Sequence, residues 1–94
     1  MRLSFSPRAA DDLEEIGNYI ARDSPSRAAS FLDELESHCR VMTEMPRASP
    51  PREDLGPGLR MAVHKNYLIL FRVLEDTVRI ERIVHGARRI EDSF

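Results

Sequence analysis

The chain has 94 residues, 41% of them hydrophobic and 32% charged, with a formal net charge of −2. That suffices for one compact domain, read as residues 1–94, and is too apolar and too evenly charged for a disordered segment. A pI of about 5.9 argues against a protein that grips phosphate backbones, and a single cysteine excludes an internal disulfide.

The alternating residues Arg2-Leu3-Ser4-Phe5 predict a short strand with Leu3 and Phe5 on one face. Ser6 is placed to cap a helix that has Pro7 in its first position, and Asp11, Asp12, Glu14 and Glu15 lie near its positive end. Ala9, Leu13, Ile16 and Ile20 recur at helical spacing to about Ala21, with Tyr19 beside that stripe and expected to be half-buried. These first 19 residues hold no continuous apolar block. Neither a secretory leader nor a membrane span is expected, and the protein is expected in the cytoplasm. Asp23-Ser24-Pro25 repeats the start signal, and Ala28, Phe31, Leu32, Leu35, Cys39 and Met42 carry a second helix to about Glu44. So short a connection makes the helices an antiparallel hairpin.

Residues 45–58 contain Pro46, Pro50, Pro51 and Pro57 together with Gly56 and Gly58, and read as an ordered but irregular loop. Three apolar runs follow, 59–64, 67–73 and 78–84, divided by the short polar segments 65–66 and 74–77, and they read as an antiparallel meander. Tyr67-Leu68-Ile69-Leu70-Phe71 is apolar at every position, which marks a central strand buried on both faces. On the last run, Glu81 and Arg82 read as a polar, solvated face. The fold class is therefore α+β, in the order β-α-α-β-β-β, with a small, mostly antiparallel sheet and the N-terminal helical hairpin packed on one face.

Three stretches together resemble the RelE/ParE superfamily of toxins from bacterial type II toxin–antitoxin pairs, and ParE most closely. They are Ser6-Pro7-Arg8-Ala9 leading to Asp12-Leu13-x-x-Ile16-x-x-Tyr19-Ile20-Ala21; Leu55-Gly56-Pro57-Gly58-Leu59-Arg60 leading to Tyr67-Leu68-Ile69-Leu70-Phe71-Arg72-Val73; and Ile80-x-Arg82-Ile83-Val84-His85-Gly86-Ala87-Arg88. The resemblance runs from Leu3 to about Ile90 and implies the same β-α-α-β-β-β fold. It also implies a toxin that binds and blocks DNA gyrase and is held inactive in a hetero-oligomer by a cognate, ParD-like antitoxin. No cofactor, membrane or direct nucleic-acid partner is expected. Relatives similar to RelE cut messenger RNA on the ribosome instead, and fold alone does not separate the two activities.

Metal-free RNA cleavage needs a proton acceptor, a proton donor and cations at the phosphate. A ribosome-dependent endoribonuclease would draw these from His85, Arg82, Arg60 and His64, with Arg72, Arg79 and Arg88 as further phosphate ligands. Strand alternation places Arg60, Ala62 and His64 on one face and Leu59, Met61 and Val63 on the other. RelE-like nucleases, however, rely on a dense Lys/Arg surface and often on a tyrosine or histidine pair near the C-terminus. Here Lys65 is the only lysine, no tyrosine follows Tyr67, and Gly86 follows His85.

No catalytic residue is therefore expected. Arg60, Arg72, Arg82, His85, Arg88 and Arg89 are the candidates for binding target or antitoxin, although many ParE-like chains carry an acidic residue where this one has Arg89. An exposed sheet edge or a groove at the helices is a seat for an antitoxin strand or helix, with Met42, Met45 and Met61 as contact residues. A non-toxic relative that only pairs with its antitoxin is a further alternative. Gly86 reads as a turn residue in a conformation costly to others, His85 either as a recognition residue or as a partner of nearby backbone. Cys39 lies in an apolar stripe with nothing to activate it, and no Cys/His cluster has zinc-ligand spacing.

Overall fold

A computed structural model describes residues 1–87. Arg2–Phe5 form β1, Pro7–Ala21 form α1, Pro25–Met42 form α2, and Arg60–His64, Tyr67–Leu74 and Thr77–His85 form β2, β3 and β4. Both helices begin as their serines dictate. Ser6 Oγ accepts the Ala9 amide at 3.0 Å and Ser24 Oγ accepts that of Arg27 at 3.3 Å, which satisfies donors that a first turn leaves without partners. Pro7 and Pro25 follow those caps. α2 ends at Met42, short of Glu44, where the Thr43 hydroxyl donates to the Arg40 carbonyl at 2.6 Å.

The sheet order is β1-β4-β3-β2. β2, β3 and β4 form the antiparallel meander, while β1 returns beside β4 in parallel, with Leu3 opposite Val78 and Phe5 opposite Ile80. Parallel pairing needs a long crossover, here supplied by the helices and the first two strands of the meander.

Apolar layers lie on both faces of the sheet. Toward the helices, Ile69, Phe71, Val78, Ile80 and Ile83 pack with Ala9, Ile16, Leu35, Cys39 and Met42. On the other face, Leu59, Leu70 and Val84 pack with Leu55, Met61 and Leu68. β3 thus contributes alternate residues to two layers, which is why its sequence runs apolar without interruption. The proline-rich loop closes the second layer and contains one turn of 3-10 helix, Pro46–Ala48. Backbone bonds from Arg52 to the Leu59 carbonyl at 2.7 Å and from Met61 to the Pro50 carbonyl at 3.1 Å hold it against β2.

Pairing between β3 and β4 shifts register in mid-strand: Leu70 faces Arg82, whereas Phe71 faces Ile80. Glu81 is the extra residue, so β4 bulges there. This corrects the expectation of a solvated Glu81–Arg82 face. Arg82 is buried at 7% exposure, and Glu81 turns toward Arg72 and Arg79, receiving Arg72 Nη1 at 2.6 Å and Arg79 Nε at 3.0 Å.

Candidate functional site

β1 spans 4 residues and β4 spans 9. Beyond Ile80, among the described residues, no strand flanks β4 on the β1 side, and the start of α1 takes that place. The Ser6 amide donates to the Ile80 carbonyl at 2.8 Å and the Ser6 hydroxyl to the Glu81 carbonyl at 2.8 Å. Asp12 completes the substitution by accepting the Ile83 amide at 2.9 Å. The same carboxylate accepts Arg82 Nε at 2.8 Å and Nη2 at 3.0 Å, with both side chains only 8% exposed. The Asp12 hydrogen bonds raise the pKa of Arg82 further, against the opposing effect of its burial. This buried pair ties α1 to the edge of β4.

Past that tie the end of β4 lies open, and a broad groove of about 1100 Å3 runs between the helices and the sheet. Tyr19 and Arg22 of α1, Phe31 and Glu34 of α2, Tyr67 of β3 and His85 of β4 are among its lining residues. An aromatic series crosses it, with Phe31 and Tyr67 centroids 5.5 Å apart and Tyr67 meeting His85 edge-on at 5.3 Å. Burial raises the pKa of the Tyr67 hydroxyl. Tyr19, expected to be half-buried, is instead 65% exposed, because its position lies to the groove side of the apolar stripe. The Arg22 guanidinium stands 5.9 Å from its ring centroid. Exposed aromatic surface rimmed by charges of both signs suits an amphipathic polypeptide segment better than a small ligand.

The residues named from sequence are dispersed among separate neighbours. Arg60 Nη1 donates to the Ser49 carbonyl at 2.7 Å, and Arg72 Nε to the Pro57 carbonyl at 2.8 Å. Arg82 is held by Asp12, and His64 Nδ1 lies 2.8 Å from His38 Nδ1. His85 stands apart in the groove, where its Nδ1 accepts the Ala87 amide at 3.1 Å. Arg88 and Arg89 lie outside the described residues. Of the methionines, Met42 is buried, Met61 packs in the second layer, and Met45 is exposed. Gly86 does not adopt the left-handed conformation expected of it. Its amide donates to the Asn66 carbonyl at 2.7 Å, and a Cβ would approach that oxygen to 3.3 Å, so close backbone approach is what favours glycine.

The sequence places Phe31 on the apolar stripe of α2, and Phe31 does pack against the core; His38 carried no comparable signal. Their seven-residue spacing, with Glu34 between them, places all three on one helical face. No helix among the described residues is long and apolar enough to cross a membrane.

A family described as "ParE toxin of type II toxin-antitoxin system, parDE" matches residues 3–90. The chain belongs to the ParE toxin family. Toxin ParE3 of Caulobacter vibrioides is 32% identical over 76 residues, which cover 80% of this chain and 76% of that protein. A chain in the solved structure of the chromosomal ParDE toxin–antitoxin system from P. aeruginosa shares the fold, with a TM-score of 0.77 at 23% identity over 90% of this chain and 95% of that one. In this ParE toxin, the family match runs from within β1 through both helices and the three strands that follow, including the walls of the groove.

Proposed function

We propose that this toxin of a type II toxin–antitoxin system acts in the cytoplasm as a protein ligand. It binds and inhibits DNA gyrase, and a ParD-like antitoxin neutralises it by laying an apolar segment into the groove between the helical hairpin and the sheet. The observation that carries this reading is the open aromatic groove at the bare end of β4, ready to take a polypeptide. The dispersal of the ionisable residues adds support, since general acid–base chemistry needs groups converging on one substrate position.

The test uses one preparation of purified toxin in two assays, gyrase supercoiling and ribosome-dependent cleavage of messenger RNA. Supercoiling should fall as toxin is added while transcripts remain whole. Transcripts cut with supercoiling untouched would refute the reading.

A further inference from the structure

Behind the groove wall, two histidines from different elements meet. His38 projects from α2 and His64 from the last position of β2, with their Nδ1 atoms 2.8 Å apart and their ring centroids at 5.1 Å. Nitrogens at that separation need one proton between them, so one ring presents Nδ1–H and the other a lone pair. The surroundings select the tautomers. The His64 side chain is 15% exposed, and its Nε2 is buried without a hydrogen-bond partner, 3.5 Å from Glu34 Oε2. A proton on that nitrogen points toward a carboxylate, which leaves His64 Nδ1 as the acceptor and His38 Nδ1 as the donor.

One added proton, on either ring, still leaves a single hydrogen between the two Nδ1 atoms and makes the contact charge-assisted. A second proton has no such place. With both rings charged, each Nδ1 carries hydrogen, and the bond becomes a contact between two donors of like charge.

We infer that the His38–His64 pair is a proton-operated latch between α2 and the β2–β3 hairpin, closed while the rings share at most one extra proton and opened by the second. The groups around it set its balance. Glu34 on α2 lies 3.5 Å from His64 Nε2, and Lys65 in the β2–β3 turn draws the same Glu34 oxygen to 2.9 Å. From β3, Tyr67 sits opposite His64 across the strand pair. Phe31 meets the His64 ring edge-on at 5.7 Å, so the latch touches the groove wall directly. Burial lowers the pKa of His38, and the neighbouring charge of His64 lowers it further. A folded-state pKa below the unfolded value means that the unfolded chain takes the proton first. The latch therefore stabilises the fold above about pH 6.5, and that contribution is lost as the pH falls from there toward the folded value.

The test needs the full chain alone. Imidazole NMR signals followed from about pH 8 to pH 5 should show the His38 ring taking its proton below the ordinary histidine range, with the His64, Phe31 and Tyr67 ring signals moving in that same step. In parallel, the unfolding constant of the wild type should rise on acidification, by roughly tenfold for each unit of depression. H38Q, whose amide can donate to the His64 Nδ1 lone pair or turn its oxygen to accept from it once His64 is charged, should lose most of that rise. Two independent titrations at the ordinary value, or equal acid sensitivity in H38Q and wild type, would overturn the latch. An effect on a docked antitoxin rests on the groove reading, and failure of that reading would appear separately, as absent antitoxin binding at every pH.

Discussion

Asp12 accepts three hydrogen bonds from β4 and sits at 8% side-chain exposure beside a buried arginine. Removing one member of such a pair leaves the other charge in the interior, at a cost of about 3–5 kcal/mol, whereas replacing both with apolar residues is often neutral. Asp12→Ala should therefore show a loss of that size in urea unfolding, and Asp12→Leu combined with Arg82→Met should recover most of it. Equal stability of the single and double variants would show that the pair itself is not what matters. The pairing was illegible in the sequence for a physical reason. Alternation assigns faces only while the ladder is regular, and the bulge at Glu81 breaks it for a partner 70 residues away. Cys39 was legible because its helical stripe alone places it in the core. Burial pushes its thiol up to about 11, with the charge of Glu36 adding to the effect. At about pH 8 a thiol reagent should therefore label Cys39 only at the rate at which the protein opens, and rapid labelling of folded protein would contradict its placement.

At the scale of elements, local chemistry carried most of the information. Serine caps, prolines in first turns and the 3.6-residue period are short-range signals, and both helices start where those signals place them. The pairing of β1 with β4 is not local: it depends on which strand edge the returning chain finds free, and no window of sequence contains that choice. Ser6 links the two kinds of information, capping α1 while its hydroxyl donates to the Glu81 carbonyl. Ser6→Ala should cost about 2 kcal/mol, the upper end for a cap, because a strand carbonyl loses its donor as well. A loss below about 0.5 kcal/mol in chemical unfolding would show that water replaces both bonds. Where α1 crosses α2, Gly17 is buried, and a Cβ there would lie 2.9 Å from Leu32 Cδ1. Alanine is accommodated only by moving Leu32, while the larger Gly17→Val should overpack the crossing and cost about 1–3 kcal/mol. Thermal unfolding of the two variants reads this difference directly.

For the molecule as a whole, the unequal lengths of β1 and β4 have a functional consequence. A longer β1 would cover the edge of β4 and remove the groove; the short one leaves aromatic surface bare. Phe31, Tyr67 and His85 were each visible in the sequence, as a stripe residue of α2, a strand start and a candidate recognition residue, but the groove that joins them exists only where three elements meet. Tyr19 separates its two possible duties. At 65% exposure it contributes little to the free fold, so Tyr19→Ala should leave the melting temperature of the isolated toxin nearly unchanged. If the antitoxin occupies the groove, the same substitution removes an aromatic anchor from the interface, a class of residue whose loss commonly costs more than about 1 kcal/mol of binding. A partner present at about 1,000 times its dissociation constant stabilises the folded toxin by about 4 kcal/mol. Domains of this size gain about 4–8 °C for each kcal/mol, so weakening at Tyr19 should remove several degrees of the antitoxin-induced rise. Melting the wild type and Tyr19→Ala with and without antitoxin therefore tests the position of the interface. An undiminished rise in the variant would place the antitoxin on another surface.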